Sequence, residues 1–246
     1  MQDRRAFLHI ATSGLAMLAV AAHSHDARAQ PSGGSPMKIG MIGAGREGSA
    51  LAALFVKAGH PTMVSSRHPE NLKDLVASLG SLAQAGTVEQ AVAFGDVIVV
   101  VVPYTAMEQL GKAHGAALAS KPLVLDVSNP IARRDGEDLV KRVNEQGGAG
   151  LVSAKLLPGA RIVRAFNAIG SGRLAQIAHR AGDPVGVPIA GDDPKAIALA
   201  EKLIRELGFE PVLVGGLAMG KYLVPGTPLG GEHTPAELRQ IAAGLR

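Results

Sequence analysis

Cysteine and tryptophan are missing from this 246-residue sequence, which has only two tyrosines and five phenylalanines. Without cysteine there is no disulfide, no thiolate nucleophile, no zinc–cysteine site and no cysteine-bound iron–sulfur cluster. Aromatic residues make up only 3% of the chain, which argues against stacking on single-stranded nucleic acid. The formal net charge is only +4, so we expect no nucleic-acid partner.

Long apolar runs are also scarce. The longest unbroken run near the N-terminus covers residues 15–22, whereas a membrane-spanning helix needs about 20 apolar residues. The whole chain is 47% hydrophobic and 19% charged, which is typical of a soluble, folded protein. Its length is sufficient for one large domain or two small ones.

The N-terminus has the composition of an export signal. Near the start of the chain lie Arg4-Arg5 and then Phe7-Leu8. An apolar stretch covers residues 6–22, and Ala27-Arg28-Ala29 follows. This order resembles a twin-arginine signal peptide. We therefore expect residues 1–29 to be removed after Ala29 and the protein to reach the periplasm with no membrane attachment. The alternative is an amphipathic N-terminal helix of the domain itself.

The rest of the chain alternates between short apolar runs and helical patterns. After a flexible lead-in at residues 30–36, a main domain covers 37–225, and a loop and C-terminal helix cover 226–246. Strands are predicted at 38–42, 62–65, 97–102, 123–127, 161–166, 188–190 and 211–214. Helices are predicted at 47–58, from Pro69, and from the N-cap Asp193 to about Leu207. This pattern predicts an α/β fold with a doubly wound, mainly parallel sheet.

A glycine motif lies between the first strand and the first helix. It reads Gly43-Ala44-Gly45-Arg46-Glu47-Gly48, the G-x-G-x-x-G spacing of a Rossmann-type fold. Such glycines permit a tight turn and let the backbone approach a pyrophosphate, while the helix N-terminus offers free N–H groups. The motif predicts dinucleotide binding; the alternative is a turn that serves packing alone.

The end of the second strand indicates which dinucleotide binds. An NAD site usually has an acidic residue there for the ribose hydroxyls, but this chain has Ser65, Ser66 and Arg67. Two hydroxyls and a guanidinium suit the 2′-phosphate of NADP, which an acidic residue would repel. We therefore expect NADP rather than NAD, with an ordinary polar turn as the alternative.

Several further segments make a family resemblance specific. They are Ile39-Gly-Met-Ile-Gly43, Asp126-Val-Ser-Asn129-Pro130, Arg164-Ala-Phe166-Asn167, Ala190-Gly-Asp-Asp193, Gly208-Phe-Glu-Pro211 and Val214-Gly-Gly-Leu217. Together with the glycine motif, this series resembles the NADP oxidoreductase family dependent on coenzyme F420, a deazaflavin. That family includes the reductase domains of six-transmembrane metalloreductases.

The resemblance covers about residues 37–225 and implies a set of contacts. NADP would contact the glycine motif, Ser66, Arg67 and the strand end at Val102-Pro103. The nicotinamide would lie near Asn129, Asn167 and Ala168.

The sequence offers few candidate side chains for acid–base catalysis. Only 29 residues follow Leu217, too few for the helical domain of about 100 residues that encloses substrates in related reductases. The histidines that follow the expected cleavage site are isolated in sequence, and we expect no catalytic side chain and no metal. Direct hydride transfer to a flat ring suits such an open site, because it depends mainly on alignment.

The sequence thus leads to one main hypothesis and two alternatives. The main one is an NADP(H)-dependent oxidoreductase that exchanges hydride with a flavin or deazaflavin. The second is a non-catalytic NADP-binding module that senses redox state or passes electrons. The third is a small carbonyl or imine reductase whose site is completed by the partner in a homodimer.

Overall fold

The computed structural model describes residues 35–245 of the chain. The expected export signal and most of the lead-in lie outside the described residues. In the described part, strands and helices alternate as the apolar periodicity predicts. No helix within residues 35–245 combines the length and the apolar character needed to cross a bilayer.

The sheet has eight strands, and ten helices connect or flank them in the described part of the chain. The strands are β1 (Ile39–Ile42), β2 (Thr62–Ser65), β3 (Ala83–Gly86), β4 (Val97–Val100), β5 (Val124–Asp126), β6 (Ile162–Arg164), β7 (Gly186–Gly191) and β8 (Glu210–Gly215). The helices are α1 (Arg46–Lys57), α2 (Lys73–Leu79), α3 (Val88–Phe94), α4 (Met107–Ala119), α5 (Ala132–Asp135), α6 (Glu137–Glu145), α7 (Ala149–Leu156), α8 (Ser171–Ile177), α9 (Pro194–Glu206) and α10 (Pro235–Ala243). Short 3₁₀ turns cover Pro69–Leu72, Tyr104–Ala106 and Leu217–Tyr222.

The strand order confirms the predicted Rossmann-type, mainly parallel sheet. It runs β3-β2-β1-β4-β5-β6-β7-β8, and every neighbouring pair is parallel except β6 with β7. The order reverses between β1 and β4, so the chain crosses over the sheet there. In open α/β sheets ligands bind at such a switch point, outside the carboxyl ends of the strands.

The sheet separates two hydrophobic cores. Val97 and Val99 of β4 pack into one core, whereas Ile98 and Val100 pack into the other. Successive side chains of a strand point to opposite faces, so a strand covered on both faces must be apolar throughout. This explains the unbroken apolar run at 97–102. The regular ladder ends at Val100, earlier than that run predicts.

Two helix starts show how the local sequence sets the boundaries. The side chain of Asp193 accepts a hydrogen bond from the N–H of Ala196 at 2.8 Å, which confirms it as the N-cap of α9. The helix expected from Pro69 begins instead as a 3₁₀ turn and becomes α-helical only at Lys73. Proline suits the first turn of either helix type, because its missing N–H has no partner there in any case.

The C-terminal segment contributes to the core. Thr234 and Glu237 form the capping box of α10, in which each side chain meets the other's backbone N–H. Leu238 of this helix is fully buried, in a third apolar cluster together with Val212 and Val214 of β8. The helix therefore covers the far end of the sheet, away from the glycine motif.

Candidate nucleotide-binding site

A cleft of about 1340 Å³ opens at the carboxyl ends of β1, β2, β4, β5 and β6. The sequence assigned fourteen residues to cofactor binding, and all but one line this cleft. Those that do are Gly43, Ala44, Gly45, Arg46, Glu47, Gly48, Ser65, Ser66, Arg67, Val102, Pro103, Asn129 and Asn167.

Ala168 is the residue that the structure does not bring to the cleft. It is buried, and its carbonyl accepts the N–H of Gly231 at 2.9 Å, which ties it to the C-terminal loop. Its neighbours Asn167 and Ile169 both line the cleft, so of residues 166–171 only Ala168 stays out of it.

The three glycines of the motif have different roles. Gly43 has a φ of +112°, and a Cβ there would lie 2.2 Å from the carbonyl oxygen of Val101. A Cβ at Gly48 would lie 2.1 Å from the carbonyl oxygen of Gly43. Gly45 is different, because a Cβ there would meet nothing within 4 Å. Gly43 and Gly48 therefore serve chain packing, whereas Gly45 leaves the backbone open to the cleft.

The N-terminus of α1 is available to an anion. Its N-cap is Gly45, and no side chain accepts a hydrogen bond from the first-turn N–H groups in the described part of the chain. Free N–H groups and the positive end of the helix dipole together form an anion site. The exposed Arg46 adds a cation at the same place. This arrangement matches the pyrophosphate of a dinucleotide.

The end of β2 presents donors to the cleft. Ser65 is buried and its hydroxyl donates to the carbonyl of Met41 at 2.9 Å, so this hydroxyl is used inside the sheet rather than for a phosphate. Ser66 lines the cleft, where its hydroxyl accepts the N–H of His68 at 3.1 Å. Arg67 is exposed and has no ion pair among the residues that the structure describes. The donor set at this strand end is therefore Ser66 and Arg67.

A buried ionic network fixes the ends of β5 and β6. Asp126 and Arg164 are fully buried and pair through Oδ2 and Nη1 at 2.6 Å. The Asp126 carboxylate also accepts the Ser153 hydroxyl at 2.7 Å and the Ser128 N–H at 2.9 Å. Tyr104 joins the network, since its hydroxyl lies 3.2 Å from that of Ser153. Burial raises the pKa of Tyr104 to about 12, so its hydroxyl stays neutral.

This network sets the orientation of two asparagines at the cleft. Arg164 Nη2 donates to Asn129 Oδ1 at 2.9 Å, and Asn129 Nδ2 donates to the carbonyl of Asn167 at 2.8 Å. Asn167 Nδ2 in turn donates to the carbonyl of Asp126 at 3.1 Å. Within residues 35–245, Asn167 Oδ1 is buried and has no hydrogen-bond partner. Asn129 is thus committed to the network, while Asn167 retains an acceptor for a ligand's N–H group.

The residue before Asn167 has an unusual backbone. Phe166 has a φ of +59°, in the left-handed region that residues with a Cβ rarely adopt. Its buried ring packs edge-to-face on Phe209 at 5.5 Å between centroids, which holds this conformation in place. Backbone strain of this kind concentrates at functional sites, and here it precedes the asparagine that lines the cleft.

The sequence did not predict several residues that line the cleft. They include Thr105 after β4, Arg133 and Arg134 after β5, and Ile169, Gly170 and Ser171 after β6. Each of these six follows a predicted site residue by at most five positions. The signal that would have found them is their position after strand ends that form one edge of the sheet.

The carboxylate of Glu47 is partly buried, which its place in the glycine motif did not predict. Its Oε1 is buried without a hydrogen-bond partner in the described part of the chain. Burial raises its pKa to about 7, although the N–H of Ser171 donates to the carboxylate and opposes this shift. Glu47 therefore differs from an ordinary surface carboxylate. Among residues 35–245 no group of three or more acidic or histidine side chains is arranged to hold a metal ion.

One part of the chain matches a known protein family. Residues 38–130 match the family described as NADP oxidoreductase, coenzyme F420-dependent. This segment contains the glycine motif, Ser66, Arg67, Pro103 and Asn129. No protein among those with curated functions matches the sequence.

Solved structures share the fold over most of the described chain. A hypothetical protein from Sinorhizobium meliloti is 27% identical with a TM-score of 0.65, and the match covers 81% of this chain and 95% of that one. A candidate F420-dependent NADP-reductase from Arthrobacter sp. FB24 is 20% identical with a TM-score of 0.65, covering 75% and 87%.

A longer protein shows the same fold. The imine reductase from Myxococcus stipitatus, solved with NADP⁺, is 24% identical with a TM-score of 0.54, covering 74% of this chain and 56% of that one. The chain thus has the Rossmann fold of these proteins, and its segment 38–130 matches the F420-dependent NADP oxidoreductase family.

Proposed function

We propose that the protein is an NADP(H)-dependent oxidoreductase that exchanges hydride between the nicotinamide and a flavin or deazaflavin acceptor. The observation that carries the proposal is the cleft itself. The glycine motif, with open space at Gly45, and the donors Ser66 and Arg67 line this one cleft. The family match over residues 38–130 supports it.

The residues of the cleft suit each part of NADP. The open backbone at Gly45 and the uncapped N-terminus of α1 would hold the pyrophosphate, and Arg67 with Ser66 would hold the 2′-phosphate. The unpartnered Oδ1 of Asn167 would accept an N–H of the nicotinamide carboxamide. When bound, the nicotinamide supplies or receives the hydride, while the protein supplies alignment.

Turnover with a flat acceptor tests the proposal. Mixing the protein with NADPH and either a free flavin or a 5-deazaflavin should cause loss of the 340 nm absorbance of NADPH, at a rate that depends on both reactants. Tight NADPH binding without any turnover would instead support the non-catalytic module. Turnover only with carbonyl or imine compounds would support the third function.

The first prediction concerns the choice of nucleotide. Arg67→Ala should weaken NADPH binding by about 1.5–3 kcal/mol, the scale of a charged hydrogen bond, and should leave NADH binding nearly unchanged. Isothermal titration with both nucleotides measures the difference. Arg239→Ala removes an exposed arginine from α10, away from the cleft, and serves as the control. Equal losses for NADPH and NADH in Arg67→Ala would contradict the 2′-phosphate assignment.

Export is a second proposal, based on Arg4-Arg5. The twin-arginine route carries folded proteins, so the nucleotide would bind before transport and remain bound afterwards. Retention against dilution needs a dissociation constant below about 1 μM, or a binding free energy stronger than about −8 kcal/mol.

Wild-type protein should therefore reach the periplasm with NADP(H) bound, and Arg4-Arg5→Lys-Lys should remain in the cytoplasm. Fractionation with mass spectrometry checks both; nucleotide-free periplasmic protein or normal export of the variant would contradict them.

A further inference from the structure

Glu47 has a carboxylate oxygen in the cleft wall that the described part of the protein leaves without a hydrogen bond. It lies in the first turn of α1 and lines the cleft, where its Oε1 is buried without a partner among residues 35–245. Buried polar atoms in folded proteins nearly always have a hydrogen-bond partner, so each exception needs an explanation. A ligand in the cleft would supply that partner.

The contacts of Glu47 place it between two parts of the cleft. Its carboxylate accepts the N–H of Ser171, the first residue of α8, and α8 packs against α1. Ser171 follows Asn167 by only four residues. Glu47 thus connects the glycine loop with the segment after β6, where Asn167 presents its free acceptor. By the proposed function, the pyrophosphate and the nicotinamide meet there.

No charged side chain in the described part of the chain compensates the Glu47 carboxylate. On α8, Arg173 pairs with Glu232, and after β5, Arg134 pairs with Asp135. The other charged groups of the cleft and of the neighbouring α2 form no ion pair with Glu47; they are Arg46, Arg67, Arg133, His114, Lys73 and Asp74. The carboxyl group therefore has the Ser171 N–H and otherwise faces the cleft or apolar surroundings.

This environment favours the neutral acid. Burial raises the pKa of Glu47 to about 7, from a usual value near 4.5. A carboxyl group that still carries its proton at neutral pH is suited to proton donation, because the ideal catalytic pKa lies near the working pH.

We propose that Glu47 is the catalytic residue that donates the proton which accompanies hydride transfer in this cleft. The inference deepens the proposed function and depends on it. The acceptor gains a hydride, with its electron pair, at one atom and the proton of the Glu47 carboxyl at another. NADPH loses that hydride and becomes NADP⁺, and the Glu47 carboxylate then takes a proton from water. The net reaction consumes one proton for each NADPH oxidised.

The kinetic test compares Glu47→Gln with wild type in single turnovers with NADPH and a 5-deazaflavin. Glutamine keeps the shape of the side chain and an oxygen for the Ser171 N–H, but it cannot donate a carboxyl proton. We expect the variant to react about 100-fold more slowly at pH 6.5. The wild-type rate should fall above pH 7 by about tenfold per pH unit, and the variant rate should be independent of pH. Glu89→Gln, which removes an exposed first-turn glutamate from α3, should behave like wild type.

A second readout does not depend on activity. In nucleotide-free protein labelled with ¹³C in the glutamate carboxyl groups, NMR should show one carboxyl with a midpoint near pH 7, and this signal should be missing from Glu47→Gln.

The outcomes separate this inference from the proposed function. If wild type oxidises NADPH and Glu47→Gln has the same rate and pH profile, the proton has another source and the inference is overturned. A variant that loses nucleotide affinity but keeps the wild-type pH profile, or a Glu47 signal that titrates below pH 5.5, overturns it as well. If wild type binds NADPH and reduces no acceptor, the proposed function fails, and this inference fails with it.

Discussion

Gly45→Val is expected to reduce the affinity for both NADPH and NADH by at least about 100-fold while the protein stays folded. The valine side chain would extend into the open space where the backbone meets the pyrophosphate, since nothing else lies within 4 Å of a Cβ at this position. Its backbone, with φ −71° and ψ −174°, is extended and acceptable to valine. We expect the free energy of unfolding to fall by only about 1 kcal/mol, the usual effect of a poor N-cap residue.

The control for this substitution is Gly115→Val in α4. A Cβ at Gly115 would also meet nothing within 4 Å, and this glycine does not line the cleft, so nucleotide affinity should not change. Titration calorimetry measures the affinity and denaturant unfolding measures the stability. If Gly45→Val binds NADPH as wild type does, the glycine loop serves chain packing only.

Asp126→Ala is expected to have the largest effect on stability, a loss of about 3–5 kcal/mol. The substitution leaves the guanidinium of Arg164 fully buried, with only the Ser128 carbonyl and Asn129 Oδ1 as acceptors among the described residues. An uncompensated charge inside a protein is far more unfavourable than the intact pair is favourable. The total stability of a domain is about 5–15 kcal/mol, so this loss takes a large share of it.

Two variants separate the charge from the loss of side-chain volume. Asp126→Asn keeps the shape and removes the charge, and should retain most of the destabilisation. Combining Asp126→Ala with Arg164→Met removes both charges and should be more stable than Asp126→Ala alone. Glu232→Ala breaks the exposed pair with Arg173 and should lower the free energy of unfolding by no more than about 1 kcal/mol. A loss below about 1 kcal/mol in Asp126→Ala would contradict the role given to this pair.

The fold was most predictable where local chemistry sets the boundary. β2 covers Thr62–Ser65 as expected, and α1 begins one residue earlier than expected because its N-cap is Gly45. By contrast, β3 was not predicted. Its sequence, Ala83–Gly86, has no β-branched or aromatic residue, and it forms a strand because it pairs with β2 at the edge of the sheet.

The reversed direction of β7 relative to β6 could not be derived from the sequence either. α8 and a loop separate the two strands, and no turn motif fixes the orientation. β7 pairs in parallel with β8 and contacts α9, and such contacts between distant segments have no signal in the local sequence.

The residues of the candidate site also fall into two groups, those that the local sequence predicts and those that depend on contacts between distant segments. Residues in one continuous motif, such as the glycine loop and Ser66–Arg67, were found because backbone geometry and charge act locally. The pairing of Asp126 with Arg164 joins residues 38 positions apart and depends on β5 lying beside β6. The burial of Glu47 depends on α8 packing over α1. Neither feature has a signature in the neighbouring residues.

Transfer of deuterium from the nicotinamide is the decisive test of hydride exchange in this cleft. NADPH labelled with deuterium on one face of C4 is mixed with the protein and a 5-deazaflavin, whose reduced carbon does not exchange its hydrogen with water. We expect one of the two labelled forms to give a reduced deazaflavin heavier by one mass unit, since the cleft holds the nicotinamide in one orientation. Reduced deazaflavin without deuterium from either form, or no reduction while NADPH is bound, would contradict the proposed function.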